Sequence, residues 1–173
     1  MFKPTMTVTA GHSDQDPGAV RGVYREEDLM QELAAIVGIK LLTKGYPVRT
    51  DVVNGINKPL AYALSLISGS GLAIELHTNA GPVQASGVEV YSLPKHKAAA
   101  QRIAGAIAGV LDIPLRGDKG WRDTADSQHT RLAYVEGGGL IVEAFFLSNT
   151  GDLTKYLDKK WLVGSAIVEA MTA

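Results

Sequence analysis

The chain contains no cysteine. That absence excludes disulfide staples, thiolate metal sites and cysteine nucleophiles together, and it leaves histidine and carboxylate as the strong ligands, which favours a hard or borderline metal. An excess of charge of one sign is also missing. Seventeen basic against 18 acidic residues give a formal net charge of −1, and no lysine–arginine block interleaves with aromatics. Such a surface exerts no long-range pull on phosphate backbones or anionic lipid, so no nucleic acid partner is expected. No apolar run approaches the roughly 18 residues that cross a bilayer. MFKPTMTVTAGH has neither an apolar h-region nor a cleavage site. The expectation is a soluble chain with no membrane insertion, synthesised in the cytoplasm without a signal peptide. GHSDQDPG also lacks the G-x-G-x-x-G spacing of a dinucleotide site, and there is no internal repeat or low-complexity tract.

What is present fits one domain over residues 1–173, with 46% apolar residues for a single core. Strand and helix patterns alternate without a linker, which predicts an α/β fold: a mostly parallel twisted sheet of about six strands with helices on both faces. Residues 4–10 read as a first strand, followed by a loop rich in Asp, Gly and Pro. From Glu26 to Thr43 the residues Leu29, Leu33, Ile36, Val37 and Leu41 repeat at helical spacing, and Gly45 closes the helix. A strand is expected near 46–50. Asn57-Lys58-Pro59 opens a second helix before a strand from Leu72 to His77. GVEVYSL reads as a short strand, and an Ala-rich helix runs from Pro94 to about Leu111. The longest irregular segment, 113–128, precedes expected strands over 130–135 and 140–145. The tail from Asp152 is helical, with Trp161, Leu162, Ala166, Ile167 and Ala170 on a stripe expected to pack in the core.

Open α/β sheets bind ligands beyond the carboxyl ends of their strands, and His12, His77 and Glu143 all fall there. Glu26 begins the first helix, which returns to the same rim. Two histidines and a glutamate can hold one divalent metal with an open fourth position, and Glu143 is then the spare carboxylate beside a metal-activated water. Each residue alone has a plainer account. A histidine at a strand end is commonly a hydrogen-bonded loop residue, and Glu26 serves equally as an N-terminal acid favoured by the helix dipole, a part Glu27 or Asp28 can also play. Glu143 is harder to dismiss, because an acid inside LIVEAFF is costly to bury without a partner or a task. His96, between two lysines, and His129, after a polar loop, are weaker candidates.

Four stretches resemble, in order, the motifs of the zinc-dependent N-acetylmuramoyl-L-alanine amidases of the Amidase_3 type. Gly11-His12-Ser13-Asp14-Gln15-Asp16-Pro17-Gly18-Ala19 is similar to G-H-G-G-x-D-x-G-A, with Ser13 and Asp14 in place of glycines. Glu26-Glu27-Asp28 is similar to the E-K-D stretch. Glu75-Leu76-His77-Thr78-Asn79-Ala80 is similar to S-x-H-x-N-A, with Glu75 in place of serine. Ile141-Val142-Glu143-Ala144-Phe145-Phe146-Leu147-Ser148-Asn149 is similar to L-V-E-x-G-F-x-S-N, with Phe145 in place of glycine.

The resemblance implies Zn2+ held by His12, Glu26 and His77, with Glu143 as general base. It implies cleavage of the amide between N-acetylmuramic acid and L-alanine of bacterial peptidoglycan. It places Asn79, and the Arg116 and Lys119 of an R-G-x-K stretch, against substrate. A group facing His77 and a strand-end salt bridge are both open to Glu75. The expected protein is a monomeric phage or prophage endolysin that acts on the wall after release. Exported cell-division amidases similar to this chain carry a regulatory helix over the zinc. The short loops here imply instead an open site that is active as made. Two other classes compete: a zinc carboxypeptidase acting on the stem peptide, and a non-catalytic wall-binding module.

Overall fold

The computed structural model describes residues 2–126 and 132–173. The strands are β1 (Met6–Ala10), β2 (Val20–Arg21), β3 (Tyr24–Arg25), β4 (Val48–Arg49), β5 (Val52–Val53), β6 (Ile56–Asn57), β7 (Leu72–Asn79), β8 (Glu89–Tyr91), β9 (Trp121–Arg122) and β10 (Leu140–Phe146). The helices are α1 (Glu26–Thr43), α2 (Leu60–Ser65), α3 (Lys97–Leu111), α4 (Ala133–Glu136) and α5 (Thr150–Thr172). Six strands form one sheet in the order β4-β1-β7-β10-β8-β9. The pairs β1–β4, β1–β7, β7–β10 and β8–β9 are parallel, and only the β10–β8 junction is antiparallel. The single-domain, mostly parallel α/β sheet expected from the sequence is therefore present. Two hairpins, β2–β3 and β5–β6, stand outside it.

The two-residue period of a strand sorts side chains between two unequal layers. On one face Val8, Ile74, Leu76, Val90, Leu140 and Val142 pack under α1, α3 and α5 in the main core. On the other, Ala73 and Ile141 meet only a small cluster from α2 and α4, built on Ala63, Ile67, Tyr134 and Val135. Helices thus lie on both faces, but the second layer is short. Glu75 and His77 on β7, Glu143 on β10 and Glu89 on β8 alternate with core residues and so share this thinly covered face.

Helix α1 occupies the span its apolar spacing predicts. It begins with three acids and ends in a Schellman closure, where Gly45 (φ +79°) donates to Leu42 O and Tyr46 to Leu41 O. Other expectations are corrected. Ala133–Glu136 is a short helix rather than part of a strand over 130–135, whose first two residues lie outside those described. Four apolar-rich residues cannot fix a period, and the glycines at 137–139 end the turn. Asn57 does not lead into α2; it is buried in β6 and donates to Ala10 O and Gly11 O. On α5 the buried face is Leu153, Tyr156, Val163, Ile167, Val168 and Met171, whereas Trp161 and Leu162 are 58% and 59% exposed. The helix packs between α1 and α3 by one stripe, and those two residues fall beside it.

Candidate active site and metal centre

The carboxyl ends of β1 and β7 and the start of α1 converge on one spot. His12 Nε2, both Glu26 carboxylate oxygens and His77 Nδ1 meet there. Glu26 Oε2 lies 3.1 Å from His12 Nε2, and Glu26 Oε1 lies 3.1 Å from His77 Nδ1. Each residue offers a ligand atom within 4.8 Å of the others. Glu26 is held by backbone as well, accepting from Ala19 N on Oε2 and Thr78 N on Oε1, both at 2.9 Å. Glu27 points elsewhere, toward Arg25 at 3.9 Å. The geometry therefore selects Glu26 from the three acids at the helix start.

The far nitrogen of each imidazole also meets a carboxylate. His12 Nδ1 lies 2.9 Å from Asp16 Oδ2, and His77 Nε2 lies 3.2 Å from Glu75 Oε2. A proton on each of those nitrogens donates outward and leaves the inner nitrogen's lone pair for a cation. Glu75 thus faces the site.

The backbone is shaped for this crowding. His12 has a left-handed φ of +69°. A Cβ on Gly11 would come within 2.2 Å of the His77 ring. One on Gly18 (φ +64°) would fall 2.5 Å from His12 and 2.7 Å from Glu26 Oε2. Only glycine fits at either position.

The electrostatics agree with a cation at this spot. Burial alone would raise the Glu26 carboxyl, but hydrogen bonds and charge from His12 and His77 hold it well below the carboxylate range. Burial alone would lower the histidines, but Glu26 and Glu75 raise His77 well above its ordinary value, and Glu26 and Asp16 raise His12. The field favours positive charge, and two imidazole nitrogens with one carboxylate are a donor set suited to zinc.

Glu143 stands opposite His77 across the β7–β10 pairing. Burial pushes its carboxyl up to about 7, with His77 opposing the rise. Its Oε2 is buried and finds no hydrogen-bond partner among the described residues. Glu143 and the His12–Glu26–His77 cluster line one cleft of about 1070 Å³, together with Asn79, Glu89, Arg116, Arg122 and Phe146.

The other sequence-derived candidates divide. Asn79 and Arg116 reach the cleft, although Asn79 spends its side chain on Glu89 Oε1 (2.6 Å) and Ala80 N (2.9 Å). Lys119 is exposed, has a left-handed φ of +52° and is not among the lining residues. His96 ends a 3-10 turn before α3 and is likewise not a lining residue. His129 lies outside the described residues. Sequence reading missed Asp16 as the support of His12, and Glu89 and Arg122 altogether. Glu89 carried a usable signal, being an acid between two valines in GVEVYSL.

Comparison with known proteins shows the family. The family described as N-acetylmuramoyl-L-alanine amidase matches residues 6–173. A Neisseria meningitidis protein assigned as such an amidase is 42% identical, with a TM-score of 0.90 over 98% of this chain and 94% of that one. The amidase AmiC2 of Nostoc punctiforme shares the fold at 18% identity and a TM-score of 0.82, covering 98% and 95% of the two chains. The catalytic domain of the CD27L endolysin, which targets Clostridium difficile, does so at 22% identity and a TM-score of 0.74, covering 98% and 97%. No curated protein matches. With a family match over nearly its whole length and a relative this similar, the chain belongs to the N-acetylmuramoyl-L-alanine amidases, enzymes that act on peptidoglycan at the bond between N-acetylmuramic acid and L-alanine.

Proposed function

We propose that this amidase is zinc-dependent and that His12 Nε2, Glu26 and His77 Nδ1 hold the metal. The observation that carries the reading is the convergence of three ligand atoms within 4.8 Å, beside a carboxylate that none of them engages by a hydrogen bond. When bound, zinc supplies polarisation of a water and of the lactyl carbonyl of N-acetylmuramic acid. Asp16 and Glu75 keep His12 and His77 in the ligating tautomer. Glu143 takes the proton of the attacking water and delivers it to the leaving nitrogen of L-alanine, a role for which a carboxyl raised to about 7 is well matched. The same reading takes the enzyme to work without an activator.

The finer biological reading follows the same line: a monomeric phage or prophage endolysin, made in the cytoplasm and acting on the wall after release. The shared fold with the CD27L endolysin domain supports it. The test is incubation of the purified chain alone with isolated peptidoglycan. Stem peptides with a new L-alanine N-terminus are expected, lost with a chelator and restored by zinc. Release of a C-terminal D-amino acid instead would make the chain a carboxypeptidase. Hydrolysis only with a partner protein would end the unregulated-lysin reading.

A further inference from the structure

Strand β1 is paired unevenly. On one edge β7 accompanies it to Ala10, and Gly11 N still donates to Leu76 O at 2.8 Å. On the other edge β4 pairs only with Met6 and Thr7. The edge beyond them carries the N–H and C=O of Ala10, and a buried strand end must satisfy both. Two side chains of the β5–β6 hairpin do so. Asp51, just before β5, accepts on Oδ1 from Ala10 N at 3.1 Å, and Asn57 Nδ2 donates to Ala10 O at 3.3 Å and to Gly11 O at 3.2 Å. Lys58 N donates to Asp51 O at 3.1 Å, which closes the hairpin and brings both side chains to one residue of β1.

Both groups are fully buried, and each leaves an oxygen idle. Neither Asp51 Oδ2 nor Asn57 Oδ1 has a hydrogen-bond partner among the described residues. Half-used buried polar groups carry a cost that an apolar pair would avoid. What their bonds hold explains why they are kept. His12 follows the gripped segment with a φ of +69°, and a non-glycine residue stays in the left-handed region only where its surroundings over-determine it. Gly11 passes so close to His77 that a Cβ there would fall 2.2 Å from the ring. A small movement of Ala10 and Gly11 would therefore change the spacing of both histidines about Glu26, whose carboxylate lies 3.1 Å from each.

We infer that Asp51 and Asn57 are positioning residues for the metal centre: by gripping Ala10 and Gly11 they hold His12 in its left-handed turn, with Nε2 against Glu26, and so set how tightly the cluster binds zinc. The inference rests on the zinc reading of that cluster. At Asp51 the grip needs an acceptor rather than a charge. Burial pushes this carboxyl up to about 7, and the oxygen that faces Ala10 N accepts in either form.

The test measures zinc affinity of the full chain by competition with a chromophoric chelator, together with the visible absorption of the cobalt-loaded protein, which reports ligand geometry. Asn57→Ala and Asp51→Ala should each bind zinc at least about tenfold more weakly, the loss typical when the support of a metal ligand is removed. Both should shift the cobalt bands while circular dichroism shows the fold retained. Asp51→Asn keeps an acceptor for Ala10 N and should bind as the wild type does, as should Ile56→Ala, an exposed position on the same hairpin. A pair that only stabilises the fold would lower the urea midpoint and leave zinc affinity and the cobalt bands unchanged, which would overturn the inference. A loss in Asp51→Asn or Ile56→Ala as large as in the alanine variants would overturn it too. If the alanine variants fail to fold, Asn57→Ser, a shorter polar side chain, takes their place with the same two readings. A wild type that takes up no zinc ends the zinc reading and the positioning pair with it, whereas one that binds zinc no better than the variants ends the pair alone.

Discussion

Glu75 Oε2 lies 3.2 Å from Nε2 of His77, the ring nitrogen that points away from Glu26. Glu75 is buried, at 4% exposure, on the same strand face as His77. The carboxylate fixes the tautomer with Nδ1 free, aligns the ring and raises its basicity as a ligand. Glu75→Ala should weaken zinc binding by roughly 10- to 100-fold, read by competition with a chromophoric chelator, while circular dichroism shows the fold retained. Unchanged affinity would reduce Glu75 to a strand-end charge pair.

Glu143 has no hydrogen-bond partner for Oε2 among the described residues and stands beside the cluster rather than within it. Glu143→Ala should therefore bind zinc as the wild type does and lower turnover by about 10²-fold or more, the loss typical of a general base. A variant that loses the metal would make Glu143 a ligand. One that turns over normally would remove it from the chemistry.

Asp51, which lines the same cleft, gives a pH signature in stability. It is fully buried and accepts from Ala10 N at 3.1 Å, while among the described residues neither its Oδ2 nor the buried Asn57 Oδ1 has a hydrogen-bond partner. Burial pushes the Asp51 carboxyl up to about 7, against the pull of the Ala10 amide. The folded state thus holds this proton more tightly than the unfolded chain does. The stability it contributes is full below about pH 4 and is lost as pH rises through about 7. Asp51→Asn keeps the shape without a titrating proton. Over that window the wild type should lose on the order of 2–4 kcal/mol relative to the variant. Urea midpoints across pH decide it; parallel curves for the two proteins would mean that Asp51 is ionised at little cost.

Much of this site was legible because its chemistry sits at strand ends. His12 follows β1, His77 is near the end of β7, and Glu143 interrupts an apolar strand where an acid needs a partner or a task. The sequence could not choose among Glu26, Glu27 and Asp28, since all three suit a helix start. The choice depends on which carboxylate the turn through Gly18 and Ala19 delivers to the histidines. Glu89 carries the same acid-in-a-strand signal as Glu143, yet its meaning depends on Arg116 and Arg122, brought from 27 and 33 positions away by the β8–β9 pairing. No local period reports such a contact. Trp161 and Leu162 misled for the opposite reason: apolar residues beside a helical stripe look like part of it until the neighbouring helices show which face is covered.

The central claim is that the His12–Glu26–His77 cluster is the metal centre of the amidase reaction. Its most direct test is to strip the protein with a chelator and titrate zinc back while following release of L-alanine-terminated stem peptides from purified wall. The account predicts activity that rises linearly, stops at one zinc per chain and is absent from His77→Ala at the same zinc concentration. Full activity in the stripped protein, or zinc taken up with no release of stem peptides, would contradict it.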